Sequence, residues 1–175
     1  VMLMDNEDMH VIKRDGSKEE IFFDKILKRV KQLGTEANLN INYTSLVIKI
    51  IEQLYDGIET SKIDELTAQH CASQITTHPY FATLASYIVI SNLHKNTNPS
   101  FSTTMGLLYN FTDNKTNKKK PLLNEVFYKN VLENGKDYDE MIDFSRDYNI
   151  DYFGFKTLER AYLMNLNGLV VERPQ

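Results

Sequence analysis

Cysteine occurs once in the 175 residues, at Cys71. An internal disulfide, a CxxC redox pair and a cysteine-built zinc site are therefore excluded, and the lack of a cysteine framework suits a reducing compartment. Glycine (7) and proline (4) are too sparse for collagen-like or low-complexity chains. No long hydrophobic run exists: the longest, around residues 88–90, is far too short to span a bilayer, and the acidic residues 1–9 lack a basic segment followed by an apolar one. A cytoplasmic chain with no membrane partner is expected. Excess charge of one sign is also missing. The formal charge of −4 divides evenly, with 10 basic against 13 acidic residues over 1–100 and 10 against 11 over 101–175, so nothing in the bulk charge calls for nucleic acid. GxxxxGK[ST], GxGxxG, HExxH and GxSxG are all absent. His10, His70, His78 and His94 have no spacing that sets two on one helical face, which leaves isolated polar or capping roles rather than a metal site.

What is present is a globular composition, 42% hydrophobic and 25% charged, in a length that allows one ordinary domain or two small ones. After an acidic leader over 1–8, residues 9–23 read as two short strands around Arg14-Asp15-Gly16-Ser17. Asp-Gly predicts a two-residue type I′ turn that sets Arg14 opposite Ser17, Lys13 opposite Lys18 and Ile12 opposite Glu19. Asp24 is placed to cap a helix over 24–33 with Gly34 as its stop. Further helices are expected over 44–55, ending at Gly57, over 60–76 from a capping-box-like Ser61-Lys62-Ile63-Asp64, and from Pro79 to about Lys95. Asn96-Thr97-Asn98-Pro99 reads as a linker. Beyond it come helices over 103–111, 122–133, 138–144 and 152–164, a lysine-rich loop over 112–120, and a hairpin turning at Asn167-Gly168. Cys71, between small residues on a helix, reads as a buried hydrophobe.

Anion-binding groups concentrate in the first hundred residues. Lys13 and Arg14 precede the hairpin turn, Lys25 opens the first helix, and His94 and Lys95 end the fourth; brought together by a helical bundle, they suit a triphosphate. Glu19 could accept from an adenine amino group, while Thr60 and Asp64, one helical turn apart, could hold ribose hydroxyls. Each has an ordinary alternative: solvated lysines, Glu19 as a cross-strand partner of Ile12, Thr60 as an N-cap.

The words of the sequence add a resemblance. Val11-Ile12-Lys13-Arg14-Asp15-Gly16-Ser17-Lys18-Glu19-Glu20 with Phe23-Asp24-Lys25-Ile26 resembles the opening of an ATP-cone, the nucleotide-sensing module of many ribonucleotide reductase large subunits. Tyr55-Asp56-Gly57-Ile58 with Thr60, and Ser91-Asn92-Leu93-His94-Lys95, resemble its later motifs. Tyr152-Phe153-Gly154-Phe155-Lys156-Thr157-Leu158-Glu159-Arg160 and Val171-Glu172-Arg173-Pro174-Gln175 resemble the segment that joins the cone to the catalytic barrel in eukaryotic-type class I large subunits. The resemblance implies a mainly α fold: a β-hairpin capping a four-helix bundle over 9–98, then a helical segment of the substrate domain over 99–175 ending in a hairpin.

It also implies an allosteric site for ATP, the activator, or dATP, the inhibitor. Lys13 and Lys95 would contact phosphates with Arg14 close by. Glu19, Ile21, Phe22 and Lys25 would surround the adenine and the phosphate entry, and Thr60 and Asp64 would meet base and ribose, with Asp64 sensing the 2′-hydroxyl. Mg²⁺ would be held by phosphate oxygens and water. Other large subunits and a radical-generating small subunit are the implied protein partners of a ribonucleoside-diphosphate reductase whose barrel would follow Gln175, leaving this region regulatory and non-catalytic. Two positions depart from the pattern: Tyr87 stands where relatives carry Arg, and Thr77-His78-Pro79-Tyr80 is one residue shorter. A freestanding cone regulator that reads DNA would need a zinc ribbon, which one cysteine cannot build. A helical oligomerisation module without nucleotide sensing is the other alternative.

Overall fold

The computed structural model describes residues 9–175, and the expected leader over 1–8 lies outside the described residues. The chain forms two compact units, Val1–Asn92 and Leu93–Gln175. Their division falls inside a helix.

In the first unit, β1 (His10–Ile12) and β2 (Lys18–Glu20) form the expected hairpin, followed by α1 (Phe23–Glu36), α2 (Tyr43–Ile51), β3 (Ile58–Glu59), α3 (Thr60–Ser73) and α4 (Tyr80–Asn96). The hairpin register differs by one residue from the sequence expectation: Val11 faces Glu19 and Ile12 faces Lys18. A type I′ turn needs φ above zero at both central residues. Here Gly16 alone has it, at 83°, because the Asp15 carboxylate folds back to accept from the Ser17 amide at 2.9 Å and the Ser17 hydroxyl at 2.6 Å. The result is a three-residue loop, closed by the Gly16 amide on the Lys13 carbonyl (2.9 Å) and the Lys13 amide on the Ser17 carbonyl (2.8 Å).

β3, which no pattern in the sequence predicts, pairs in parallel with β1 through Val11–Ile58 and Ile12–Glu59, making a sheet of order β2-β1-β3. The Asp56 carboxylate accepts from the His10 amide (2.8 Å), and Gly57, at φ 79°, donates to the His10 carbonyl (2.8 Å). Val11, Ile21, Ile50, Ile58 and Ile63 form one buried cluster beneath this sheet.

Gly34 does not stop α1. The helix runs on to Glu36, and Asn38 takes the left-handed position at φ 56°. Gly34 is instead the place where the Tyr43 phenol crosses α1, since a Cβ there would overlap the ring and its hydroxyl; that hydroxyl donates to the Leu39 carbonyl at 2.6 Å. Two expected caps also differ. Asp24 lies inside α1, whose N-cap is Phe22, and Glu59 precedes α3; neither cap residue makes a side-chain cap bond. α2 ends at Ile51, short of Gly57. α4 buries Leu84, Ala85, Ile88, Val89 and Ile90, consecutive apolar positions that no single face could satisfy, as expected of a helix enclosed on most sides.

The second unit holds α5 (Phe101–Tyr109), β4 (Thr112–Asp113), β5 (Lys118–Lys119), α6 (Glu125–Glu133), α7 (Gly135–Met141), a 3₁₀ helix (Phe144–Asn149), α8 (Tyr152–Ala161), β6 (Asn165–Leu166) and β7 (Leu169–Val170). The lysine-rich stretch is therefore a small hairpin rather than a loop. The Asp113 carboxylate accepts from the Lys115 amide (2.8 Å), and Asn117 supplies φ 53°. Asn167-Gly168 makes the expected turn, with φ 51° and 87°. Met105, Leu108 and Val131 are the buried centre of this unit.

Candidate functional site

Parallel pairing places the C-terminal ends of β1 and β3 side by side. The residues that leave those ends, Lys13-Arg14 after β1 and Thr60 to Asp64 after β3, therefore share one end of the sheet. Thr60 and Asp64 are four apart on α3, and so are Lys25 and Arg29 on α1, so each pair shares a helical face. Ser91 and Asn92 come from α4.

Asp64, with 9% of its side chain exposed, is the centre of the first cluster. Arg29 grips it with its fork, Nε donating to Oδ1 at 2.8 Å and Nη2 to Oδ2 at 2.6 Å, and Nη2 also reaches the Ser91 hydroxyl at 3.2 Å. Arg14 donates to Asp64 Oδ2 at 3.3 Å, to Thr60 Oγ1 at 3.4 Å and, most closely, to Asn92 Oδ1 at 2.6 Å. Asn92 in turn donates to the Ser61 carbonyl at 3.3 Å. Burial pulls the Arg14 guanidinium below its usual pKa and the like charge of Arg29 adds to this, while Asp64 opposes both.

Glu19 is the centre of the second cluster. Its carboxylate lies 2.8 Å from Lys13 Nζ and also pairs with Lys25. Lys13 and Glu19 meet because Lys13 stands diagonally across the hairpin from Glu19 in the observed register. Lys25 Nζ sits 5.4 Å from the centre of the Phe22 ring, which is 45% exposed, whereas Ile21 belongs to the buried cluster under the sheet.

Four cations, Lys13, Arg14, Lys25 and Arg29, thus form ion pairs with two carboxylates, Glu19 and Asp64, and Asp15 lies within electrostatic reach of Lys13. The surplus is positive, it is carried on forked and point-charge donors together, and an apolar ring stands at its edge. Such an arrangement suits a polyanion joined to a flat ring.

Of the residues expected from sequence, Arg14, Thr60 and Asp64 meet in one cluster and Lys13, Glu19 and Lys25 in the other. Lys95 lies in the last turn of α4, within the second unit. His94, grouped with it as an anion-binding residue, is engaged elsewhere: its Nε2 lies 2.8 Å from Oδ2 of the fully buried Asp147, and its ring meets Phe144 and Tyr148 edge-on. Arg29, Ser91 and Asn92 have no individual role in the sequence reading, although Ser91 and Asn92 open one of the cone-like motifs. Arg29 was legible as the residue four beyond Lys25; the contacts of Ser91 and Asn92 become legible only once α4 is packed. Cys71 is fully buried, and burial pushes its thiol up to about 12, which suits a packing role. Among the described residues no three His, Cys, Asp or Glu gather as a metal cage, and no helix is long and apolar enough to cross a membrane.

Residues 9–96 match the model of the ATP cone domain. Over 95% of its length the chain is similar to ribonucleoside-diphosphate reductase large subunits. It is 42% identical over 167 residues to the large subunit of Caenorhabditis elegans, covering 21% of that protein. It is 44% identical over 168 residues to large chain 2 of Saccharomyces cerevisiae, covering 19%, and 42% identical over 168 residues to the large subunit of Danio rerio, covering 21%. The chain spans about a fifth of the length of the curated relatives it matches.

Proposed function

Because the chain belongs to the ATP cone family, we propose that its first unit is an allosteric site for an adenine nucleotide, ATP or dATP, which regulates a ribonucleoside-diphosphate reductase. The observation that carries this reading is the convergence of Lys13, Arg14, Lys25 and Arg29 on the Glu19 and Asp64 carboxylates at one end of the sheet. A triphosphate supplies the missing negative charge. Lys13 and Lys95 are the cations for the phosphates, with Arg14 close by Lys13 at the end of β1. Glu19 and Lys25 border the base and the phosphate entry with Phe22 and Ile21, and Thr60 and Asp64 meet base and sugar. Mg²⁺ arrives with the nucleotide, bound by phosphate oxygens and water, and needs no protein cage.

Regulation follows if ATP and dATP stabilise different arrangements of the protein, ATP an active one and dATP an inhibited oligomer of large subunits. The reductase reaction itself, and the small subunit that supplies its radical, belong in this proposal to the whole protein rather than to these residues. Calorimetry on the 175-residue chain tests the reading: ATP and dATP bind, and Lys13→Ala or Lys95→Ala weakens both by roughly tenfold, the worth of one charge-assisted hydrogen bond. A folded sample that gives no heat with either nucleotide refutes it.

A further inference from the structure

Arg29 makes more contact with Asp64 than any other side chain in the first unit, yet it is set apart from the residues that leave the sheet end. Its fork spans both oxygens of the carboxylate, at 2.8 Å and 2.6 Å, and its Nη2 is itself fixed by the Ser91 hydroxyl at 3.2 Å. Two parallel bonds from a planar guanidinium hold the plane of a carboxylate, whereas one bond lets it rotate. A carboxylate offers about four acceptor positions. Oδ2 accepts twice from Arg29, from Nη2 at 2.6 Å and from Nε at 3.1 Å, and once from Arg14 at 3.3 Å, whereas among the described residues Oδ1 accepts from Arg29 Nε alone, at 2.8 Å. The acceptor capacity left over is therefore on Oδ1, in a direction that Arg29 sets.

We propose that Arg29 is the positioning residue for sugar recognition: by holding the plane of Asp64 it aims the spare acceptor on Oδ1 at a ribose hydroxyl, and so makes the site respond to the hydroxyl that distinguishes ATP from dATP. The inference rests on the nucleotide reading above. Arg14 has the complementary character. It reaches Asp64 with Nη2 at 3.3 Å and donates to the neutral Asn92 at 2.6 Å, so it can turn to a polyphosphate without releasing the Asp64 plane. The two arginines thus divide the work. Arg14 responds to phosphate, and Arg29 fixes the group that reads the sugar.

The test titrates the 175-residue chain with tripolyphosphate, ATP and dATP in wild type and Arg29→Lys, which keeps the charge and loses the fork. In the wild type the two nucleotides differ in affinity by roughly tenfold, the worth of one hydrogen bond to a charged group. In Arg29→Lys, which retains the positive charge, the ATP-to-dATP ratio collapses to near one, whatever change in tripolyphosphate affinity accompanies it. A wild type that binds none of the three ligands overturns the nucleotide reading itself. A wild type that binds both nucleotides equally overturns this inference and leaves that reading standing, and so does a variant that keeps the wild-type ratio. Weakened tripolyphosphate binding with an intact ratio also overturns it, by making Arg29 a phosphate ligand. If circular dichroism shows Arg29→Lys unfolded, Ser91→Ala, which removes only the hydroxyl steadying Nη2, takes its place. The same collapse at smaller size is expected there, and an unchanged ratio refutes the proposal.

Discussion

Replacing Glu19 by Gln should make the protein bind polyphosphate more tightly, although Glu19 is part of the site. Its carboxylate holds Lys13 at 2.8 Å and pairs with Lys25 as well. Both lysines must leave it to reach a phosphate. Their side chains are 49% and 62% exposed against 22% for Glu19, so each pair is a screened surface one, worth about 0.2–1 kcal/mol. Two such pairs give a competing term of about 0.5–2 kcal/mol, and its removal strengthens tripolyphosphate binding about 2- to 30-fold. The same loss lowers the melting temperature by roughly 1–8 °C for a chain of this size. Salt supplies a second signature, because the advantage arises from exposed charges and should shrink as the Debye length falls to about 3 Å near 1 M. Calorimetry with tripolyphosphate and ATP at low and high salt measures all of this. A variant that binds tripolyphosphate no better than the wild type at low salt refutes the competition. Glutamine keeps a carbonyl that can accept from an adenine amino group, so ATP should gain in parallel; a gain with tripolyphosphate and a loss with ATP would show that the charge of Glu19 acts on the base.

Two further outcomes follow from the packing. Glycine to alanine inside a helix ordinarily stabilises by about 1 kcal/mol, but Gly34→Ala should destabilise by about 1–3 kcal/mol, because the new methyl meets the Tyr43 phenol; in a Tyr43→Ala background the sign should revert, and a thermal-melt cycle of the four proteins checks it. Asp139 accepts from the Ser102 amide (3.1 Å) and from the Ser102 and Ser100 hydroxyls (2.9 and 3.0 Å). Burial pushes its carboxyl up, yet these bonds prevail and hold its pKa below the usual value. A lowered folded-state pKa adds stability above the ordinary carboxylate range that is lost as pH falls through the lowered value. The melting gap between wild type and Asp139→Asn should therefore be full at pH 7 and close in acid; a gap independent of pH would refute it.

The sequence made legible those features that depend on near neighbours. Asp15-Gly16 announced a hairpin, Asn167-Gly168 its turn type, and apolar spacing the four helices of the first unit. It failed where a side chain competes with the backbone: the Asp15 carboxylate bonding to Ser17 is a local event, yet it moved the register by one residue and brought Lys13 diagonal to Glu19. It failed again at β3, since two residues carry no periodicity and the strand exists only through β1. That omission mattered most for the site. Lys13-Arg14 and Thr60-Asp64 could be named as candidates from residue type, but the parallel pairing that places them at one sheet end could not. Gly34 was misread for a similar reason: the partner that requires a glycine there, Tyr43, is on another helix.

The position at which the two compact units divide bears on any attempt to excise the cone. Most modules can be cut at a loop without harm to their interior. Here the division between Asn92 and Leu93 lies four residues before the end of α4, and Asn92 accepts from Arg14 at 2.6 Å. A chain severed at that point would leave its anchor on a frayed terminus, where the last carbonyls have no partners. The cone can be transplanted only together with the rest of α4, through Asn96, so the helix, and not the contact boundary, is the unit that must be inherited or grafted whole.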